Sequence, residues 1–391
     1  MTQGTTTNAR SRDQQQYNQA RDLSHGDLLA HAAKTTGRPV LELVKDFRTM
    51  ARPPSRLNLA EYLRNGLHHP DRTDPSMRAQ YISNNLHWPI THLCNNQGWT
   101  GAAEDKVVAA TLLSAAGVTV PETLAVIDRS PRIYPGIDKL TTAEDLRAFL
   151  SRNPTGGIFG KIVDGMVSLG AFRVEAADDT HVQCTGLPAL SYDTFMPDIV
   201  GDNAYVLQRR LDTHSALTPY ANALATVRMV NLVQDDGVFC PMAIIKLPQG
   251  GNIADNFWRG GNLACSIDVD SGKIETVARR AGPEVEFLPD HPDTPGLMGM
   301  TLPLWEELRE MNARAALTFA PIRYQSTDIA ITDAGPVVVE LNYGGGFDLP
   351  QYASGRGLLT PEVRAFFESF GYDFDARPKR RNLLSRLLRR K

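Results

Sequence analysis

Three oxygen-bearing side chains lie close together in two neighbouring apolar segments of the chain. Asp328 lies in STDIAI, and Glu340 and Asn342 follow three valines in PVVVELN. A carboxylate inside a buried strand is costly unless its charge is compensated. If Asp333–Gly335 forms a three-residue hairpin loop with the glycine in the left-handed region, Asp328 faces Glu340 directly. Asn342 then lies on the same face as Glu340, because strand side chains alternate between faces.

Two carboxylates that face each other repel unless one takes a proton or a cation lies between them. Carboxylate and amide oxygens are hard ligands, typical of Mg²⁺ and also suited to Mn²⁺. Mg²⁺ often binds phosphate oxygens too, so the pattern favours a nucleotide site. The alternative is an exposed hairpin with polar residues on its wet side, which the valines before Glu340 disfavour. The register of this hairpin is weakly specified, since Pro336 cannot donate to the closing pair. A one-residue slip would separate the two carboxylates.

Cationic residues interrupt other apolar strands and would neutralise phosphate charge. Lys161 lies in IFGKIV, Lys246 in AIIKL and Arg228 in TVRMV. A single cation of this kind is more often a surface residue with a buried stem, whereas three of them favour a site. DGMVSLG, which follows Lys161, is a glycine-bounded loop whose N–H groups can cover a phosphate. It is not a P-loop, because GxxxxGK[ST] does not occur.

Two further segments extend the candidate site. YVLQRRL reads as a strand that runs into a linker, where backbone groups can bind an adenine. IADNFWRGGN brings Asp255, Asn256 and Arg259 next to two glycines. This second segment is either a glycine-rich turn or a loop that lines the substrate space.

The elements around these residues predict an α+β fold. Strands and helices mix without a regular βαβ rhythm, which disfavours a doubly wound sheet. We expect one helix from Gly101 to Gly117, a strand in VTVPET, a capping box of Thr141 with Glu144, and a long helix that opens at Pro303. We divide the chain into a polar N-terminal segment (1–25), a mostly helical region (26–100), two subdomains (101–204 and 205–375) and a basic tail (376–391).

Composition limits the class of protein. The 391 residues suit two or three domains, and the net charge of −3 argues against a nucleic-acid binder. No apolar run approaches the roughly 20 residues of a membrane span. The four cysteines are widely spaced, which predicts free thiols and a cytoplasmic location. The tail RPKRRNLLSRLLRRK either binds an anionic surface or partner, or forms a solvated helix docked by its leucines.

The order of the motifs resembles the ATP-grasp superfamily. EDK…AAG…VPET, FGKIVDG…G, YVLQRRL, AIIK and TDIAI…GPVVVELN follow one another between Gly101 and Pro350. The sugar-transfer-associated ATP-grasp branch is especially similar, since its DNf…GG…ID…G pattern resembles DNFWRGGNLACSIDVDSG. This resemblance implies two α+β subdomains that clamp ATP, with one or two Mg²⁺ ions held by Asp328, Glu340 and Asn342.

The resemblance also implies roles for other positions. Lys106 and Lys161 would contact phosphates, Lys246 would lie near the β- and γ-phosphates, and Asp212 is a weak candidate for the ribose. The phosphate lid would include Asp164, Gly165, Ser168 and Gly170, and the adenine linker would include Gln208, Arg209 and Leu211. An arginine often precedes the first metal ligand by two residues in this family. Ser326 stands there in this chain, so Arg228 or Arg323 would replace it as a catalytic cation.

The implied reaction joins a carboxylic acid to an amine through an acyl phosphate, giving ADP and phosphate. Gly344, Gly345 and Gly346 would leave room for the acceptor carboxylate. The expected partners are a small-molecule carboxylate and amine, and a homodimer is compatible with the family. Two alternatives remain open: a phosphotransferase that releases a phosphorylated product, and an ATP-binding protein that has lost catalysis. The atypical Gln208 and Ser326 motivate the second alternative.

Overall fold

The computed structural model describes residue 11 and residues 24–153, 157–165 and 169–376. Most of the predicted N-terminal segment, nearly all of the basic tail and the lid residue Ser168 therefore lie outside the described residues. The helices are α1 (His25–Thr36), α2 (Val40–Met50), α3 (Leu59–Arg64), α4 (Pro75–Arg78), α5 (His87–Cys94), α6 (Gln97–Glu104), α7 (Lys106–Ala115), α8 (Ala143–Arg152), α9 (Tyr192–Phe195), α10 (Trp305–Thr318), α11 (Asp348–Ser354) and α12 (Pro361–Ser369). None of these described helices has the length and apolar character that a membrane crossing requires.

The described strands form two sheets of seven strands each. The first sheet, in the order β2-β1-β7-β3-β4-β5-β6, contains β1 (Thr123–Ile127), β2 (Asp138–Leu140), β3 (Ile158–Ile162), β4 (Phe172–Ala177), β5 (His181–Cys184), β6 (Leu190–Ser191) and β7 (Tyr205–Arg209). The second sheet, in the order β12-β11-β10-β9-β8-β13-β14, contains β8 (Thr226–Val233), β9 (Val238–Leu247), β10 (Leu263–Ile267), β11 (Val277–Ala281), β12 (Glu284–Leu288), β13 (Tyr324–Thr332) and β14 (Gly335–Asn342). With helices beside two mostly antiparallel sheets, the predicted α+β class is confirmed.

Strand β3 shows how the first sheet separates its core from a polar face. Ile158 and Ile162 are buried in a cluster that also contains the apolar side of α8. Phe159 and Lys161 alternate with them and lie on the opposite face. A Cβ on Gly160 would lie 2.2 Å from the Phe172 ring, so only glycine allows these strands to pack at this distance.

The second sheet is covered on both faces. One face packs Val227, Ile245 and Ile329 against α10 in a large apolar cluster. The opposite face packs Val230 and Ile244 against helices α5, α11 and α12. This second face continues beyond its apolar part into polar residues of β8, β9 and β13, which form part of the candidate site.

The helical N-terminal region is confirmed, and its last part is fastened to the second sheet. The Asn95 side chain accepts the Tyr324 N–H at 2.8 Å and donates to the Tyr324 carbonyl at 2.9 Å. The Gln351 side chain forms a similar pair with the Ile82 backbone, at 2.9 and 2.8 Å. Residues on both sides of α5 are therefore fastened to the second part of the chain: Asn95 after it to β13, and Ile82 before it to α11.

The turn between β13 and β14 is shorter than predicted. Thr332 pairs with Gly335, so the turn contains the two residues Asp333–Ala334. Gly335 has a φ of 122°, a backbone conformation that favours glycine. The predicted three-residue loop with Gly335 as its third member is therefore wrong.

A bulge in β14 nevertheless restores the predicted facing pair. Ile329 faces Val338, whereas Asp328 faces Glu340, so Val339 is an extra residue in its strand. Without the bulge, the two-residue turn would set Asp328 opposite Val339. The pairing of Asp328 with Glu340 is thus confirmed, although its cause is the bulge and not the loop length.

Two predicted elements have different bounds. The helix predicted from Gly101 to Gly117 is divided into α6 and α7, because Asp105 has an extended backbone and caps α7. The strand predicted in VTVPET begins only at Thr123, since Pro121 has no N–H to donate to a ladder.

Two helices begin at residues other than those predicted. The capping box of α8 consists of Thr142 and Asp145, one residue after the predicted Thr141 and Glu144. The Asp145 carboxylate accepts hydrogen bonds from the N–H groups of Thr141 and Thr142, at 2.8 and 2.9 Å. The long helix predicted to open at Pro303 begins two residues later, because the residue before α10 has a left-handed φ of 55°.

The conformation of Gly335 yields a stability prediction. The Gly335→Ala substitution should lower the free energy of unfolding by about 1–2 kcal/mol, since a side chain at positive φ is strained. The added Cβ would meet no atom within 4 Å, so the backbone alone causes the loss. Urea denaturation measures the change.

The matched control is Gly101→Ala within α6, where the new Cβ also meets no atom within 4 Å. We expect this variant to gain about 0.5–1 kcal/mol, because alanine loses less conformational entropy in a helix. Equal effects of both substitutions would contradict the turn geometry.

Candidate functional site

A cavity of about 620 Å³ lies between the two sheets. Its walls contain residues of β3 and β7 from the first sheet and of β8, β9, β13 and β14 from the second. The predicted site residues that line it are Lys106, Lys161, Gly165, Gln208, Arg209, Leu211, Asp212, Arg228, Lys246, Asp255, Asn256, Asp328, Glu340, Asn342, Gly344, Gly345 and Gly346. Residues from widely separated parts of the sequence are thus brought to one space.

Asp328 is a buried carboxylate held by two cations. Arg228 donates from Nε to Oδ1 and from Nη2 to Oδ2, both at 2.8 Å. Lys246 donates from Nζ to Oδ2 at 3.0 Å, and its Nζ also lies 3.0 Å from Asp255 Oδ2. Asp328 and Arg228 are directly paired across β13 and β8. The network therefore depends on the order of three neighbouring strands.

Electrostatics keep this network charged. Burial opposes ionisation of Asp328, but Arg228 and then Lys246 outweigh it and hold its pKa below the usual range. Burial likewise opposes the charge of Arg228, while Asp328 raises the pKa of the guanidinium. The carboxylate and both cations therefore act as one ionic unit.

Glu340 forms the second acidic position and contacts Lys106. The Lys106 Nζ lies 3.1 Å from Glu340 Oε1 and donates to the Gly165 carbonyl at 2.5 Å. Lys106 is the first residue of α7, where the Asp105 side chain accepts two N–H groups of the first turn, both at 3.0 Å. The cap thus orients a helix that begins with a site lysine.

Lys161 forms a hydrogen bond with the bulged residue of β14. Its Nζ donates to the Val339 carbonyl at 3.0 Å, which links the first sheet to the second. Burial lowers the pKa of Lys161 to about 8, against the attraction of Glu340. An anion in the cavity would stabilise this buried ammonium group.

Three buried side-chain atoms near the glycines have no hydrogen-bond partner within the described chain: His87 Nε2, Ser326 Oγ and Asn342 Nδ2. A Cβ on Gly344 would lie 2.9 Å from His87 Nε2, and a Cβ on Gly345 would lie 2.5 Å from Ser326 Oγ. The glycines therefore allow the chain to approach these groups. Unpaired buried polar atoms are rare and mark a place for water or a ligand.

Sequence reasoning missed a contribution from the helical region. Asn84, His87 and Trp88 line the cavity close to the glycines. Burial lowers the pKa of His87 to about 4, so this imidazole is neutral at pH 7. The residues around His87 carry no motif, and its position follows only from the packing of α5 on the second sheet.

The adenine linker predicted at Gln208 to Leu211 lines the cavity. Gln208 is buried on β7 and pairs with Phe159 of β3. Arg209 forms an ion pair with Glu122, in which Nε and Oε2 are 2.5 Å apart. Asp212, the ribose candidate, is mostly exposed and pairs with Arg210 at 2.9 Å.

The other predicted residues occupy different positions. Asp255 accepts a hydrogen bond from Thr226 and belongs to the Lys246 network. The Asn256 Oδ1 accepts the Trp258 N–H at 2.9 Å. Asp164, Gly170 and Arg259 are not among the described residues that line the cavity.

Arg323, which the sequence analysis offers as a catalytic cation, lies outside the cavity. Its guanidinium donates to the Val233 carbonyl at 3.2 Å and to Asp235 Oδ1 at 2.9 Å. These partners lie at the hairpin between β8 and β9, so the structure does not bring Arg323 to the cavity. Arg228 reaches it because even-numbered residues of β8 face the site, whereas Arg323 lies just before β13 begins.

The residues fit Mg²⁺ and a nucleotide in their donor chemistry. Asp328, Glu340 and Asn342 present oxygen atoms from two adjacent strands to the same cavity. Oxygen ligands of this kind suit Mg²⁺. Lys106 and Lys161 lie beside them, where phosphate groups would need neutralising.

The ionic unit predicts a difference between two acidic residues. Asp328→Asn should lower the free energy of unfolding by about 3–5 kcal/mol, because it leaves the buried Arg228 without its carboxylate and Lys246 with Asp255 alone. Glu340→Gln should change it by less than about 1 kcal/mol, since 28% of the Glu340 side chain is exposed. Urea denaturation of both variants in metal-free buffer tests this, and similar losses would contradict it.

Several solved structures resemble this chain in fold at low sequence identity. The VanG D-Ala:D-Ser ligase from Enterococcus faecalis is 12% identical, with a TM-score of 0.38 over 74% of this chain and 66% of that chain. The ATP-grasp ligase PsnB, bound to a minimal precursor, Mg and ADP, is 14% identical, with a TM-score of 0.35 over 75% and 65%. A biotin carboxylase from Campylobacter jejuni is 11% identical, with a TM-score of 0.40 over 76% and 53%. This chain spans less than two thirds of the length of these structures.

A comparison with curated proteins found no significant match. The sugar-transfer associated ATP-grasp family matches residues 90–366, which is well over half of the chain. The matched range contains every residue of the Asp328 network, both site lysines and the glycines after β14. The chain therefore belongs to the sugar-transfer associated ATP-grasp family.

Proposed function

We propose that this protein is an ATP- and Mg²⁺-dependent carboxylate–amine ligase. The γ-phosphoryl group of ATP is transferred to an oxygen of an acceptor carboxylate, which gives an acyl phosphate and ADP. The amine nitrogen then attacks the acyl carbon, releases inorganic phosphate and loses a proton as the amide forms. The observation that carries the proposal is the convergence on one cavity of Lys106, Lys161, Arg228 and Lys246 with Asp328, Glu340 and Asn342.

Charge balance supports transfer between two anions. A carboxylate acceptor and a triphosphate repel each other, so cations from the protein must offset their charge. Lys161 and Lys106 extend from the first sheet and α7 towards β14, while Arg228 and Lys246 extend from the second sheet. Asp328, Glu340 and Asn342 would hold Mg²⁺, which would supply further positive charge to the phosphate oxygens.

The glycines after β14 support a place for the acceptor. His87 Nε2 lies beside Gly344, where an added Cβ would be 2.9 Å from it, and His87 and Asn342 both line the cavity. A neutral imidazole and an amide are suitable hydrogen-bond donors for a carboxylate, since neither brings a competing negative charge. We therefore assign the acceptor carboxylate to this end of the cavity.

The apolar lining of the cavity supports a mechanism through an acyl phosphate. Such an intermediate reacts with water, so the site must exclude it. Phe159, Leu169 and Ala171 on one side and Phe257 and Leu349 on the other form the apolar lining of the cavity. The two sheets thus provide a partly dry space in which an amine can compete with water.

A product assay tests the proposed reaction. The protein is incubated with ATP, Mg²⁺ and a library of amino acids and other small carboxylates and amines, and nucleotide products are separated. ADP, phosphate and an amide are expected. AMP and pyrophosphate would contradict the mechanism, a stable phosphorylated acceptor would identify a phosphotransferase, and nucleotide binding without turnover would indicate a binding protein.

The Glu340→Ala variant should lose turnover by at least about 10²-fold while keeping its fold. Removing this partly exposed carboxylate leaves the Asp328 network intact, so circular dichroism and the unfolding midpoint should change little. The assay is steady-state release of phosphate under saturating ATP. A variant that keeps full activity would contradict the role of Glu340.

Arg228 and Arg323 provide a matched pair for the catalytic cation. Arg228→Lys keeps the charge but loses the two-bond contact with Asp328, so we expect kcat to fall by about 10²–10³-fold. Arg323→Lys lies outside the cavity and should leave kcat within about twofold of the wild-type value, since nothing that reacts touches it. Equal losses in the two variants would contradict the assignment.

A further inference from the structure

Three histidines and one glutamate meet where the helical region contacts the second sheet. The Nε2 atoms of His31 and His68 lie 2.8 and 2.9 Å from Glu284 Oε1. His69 Nε2 lies 3.1 Å from the other carboxylate oxygen, Oε2. None of the four residues lines the cavity between the sheets. This group, which we call the His–Glu cluster, plays no part in the proposed ligase chemistry.

The cluster joins three separate parts of the chain. His31 lies in α1, His68 and His69 follow α3, and Glu284 begins β12, the edge strand of the second sheet. His68 is fully buried, and only 11% of the Glu284 side chain is exposed. Three of the nine histidines of the chain therefore point one ring nitrogen each at the same enclosed carboxylate.

We propose that the His–Glu cluster is a Zn²⁺ site. Imidazole nitrogen and carboxylate oxygen are established zinc ligands, and three nitrogens with one oxygen complete a tetrahedral set. In such a set, with bonds of about 2.0–2.1 Å, neighbouring ligand atoms are about 3.3 Å apart. The nitrogen-to-oxygen separations, 2.8 and 2.9 Å to Oε1 and 3.1 Å to Oε2, are close to this spacing. His31 lies outside the group of three residues whose ligand atoms are within 4.8 Å of one another, so it must move inward to bind the ion.

The nearest ligand atoms already lie close enough to share an ion. One ligand atom each from His68, His69 and Glu284 lie within 4.8 Å of one another. His31 lies closer to solvent, with 33% of its side chain exposed, and approaches as the fourth ligand. The ion would thus bind first to the three inner residues and then fix α1 against them.

The competing explanation is a group of hydrogen bonds around Glu284. In that arrangement each histidine donates a proton from Nε2, and Arg72 Nη1 contacts Glu284 Oε2 at 3.4 Å. The Arg72 side chain is 54% exposed, so it can move away when a cation binds.

A zinc ion here would fasten the helical region to the edge of the second sheet. That region also carries Asn84 and His87 to the cavity, so its position matters to the site. Because the unfolded chain lacks the assembled cluster, bound Zn²⁺ would stabilise the folded state by mass action. This inference does not depend on the proposed ligase activity.

Zinc binding by the full chain tests the proposal. The protein is stripped with a chelator, dialysed and titrated with Zn²⁺ alone, without nucleotide. We expect one equivalent to bind and the thermal unfolding midpoint to rise. Substituting Co²⁺ should give the intense visible absorption of a four-coordinate site. Failure to bind one equivalent, or the weak spectrum of a six-coordinate Co²⁺, would overturn the proposal.

Variants separate the cluster from adventitious binding. His69→Gln and His31→Gln keep a hydrogen-bond donor for Glu284 but remove a ligand, and each should weaken Zn²⁺ affinity by at least about tenfold. His181→Gln, at an exposed position of β5, should bind as the wild type does. Unchanged affinity in both cluster variants would show that Glu284 is held by hydrogen bonds alone and would overturn the proposal. Unchanged circular dichroism in the stripped variants confirms that they are folded.

Discussion

The buried Asp328 carboxylate and its two cations are the interaction on which the candidate site depends. Burial opposes its charge, so the carboxylate persists because Arg228 binds both of its oxygens and Lys246 binds one of them. The cations come from β8 and β9, and Asp328 from the adjacent β13. Since the same strands form the apolar clusters on both faces of the second sheet, the packing of that sheet also determines the electrostatics of the cavity.

The two sheets meet at the cavity through polar contacts. Lys161 reaches the carbonyl of Val339, which the bulge in β14 leaves outside the regular ladder, and Lys106 reaches Glu340. Ammonium groups that contact a carbonyl and a single carboxylate can exchange these partners for phosphate oxygens at little cost. The bulge therefore has two effects: it brings Glu340 opposite Asp328, and it supplies a backbone acceptor for a buried lysine.

The helical region completes the molecule on one side of the second sheet. It supplies His87 to the cavity and His31, His68 and His69 to the cluster around Glu284. Both groups consist of side chains whose partners lie in distant parts of the sequence. Their shared role is to hold helices with a modest apolar core of their own against a sheet edge and a cavity wall.

The sequence by itself determined the α+β class, the family and the principal charged residues of the site. The charged residues could be found because Lys161, Arg228 and Glu340 each interrupt an apolar strand, which is a local signal. Only the tertiary structure decided the two-residue turn and the bulge, the removal of Arg323 from the site, and the place of His87. A two-residue turn with a bulge sets the same residues opposite each other as a three-residue turn without one. The pattern of strand residues therefore cannot distinguish the two arrangements. Contacts between distant segments depend on how whole helices and strands pack, so no residue spacing in the sequence predicts them.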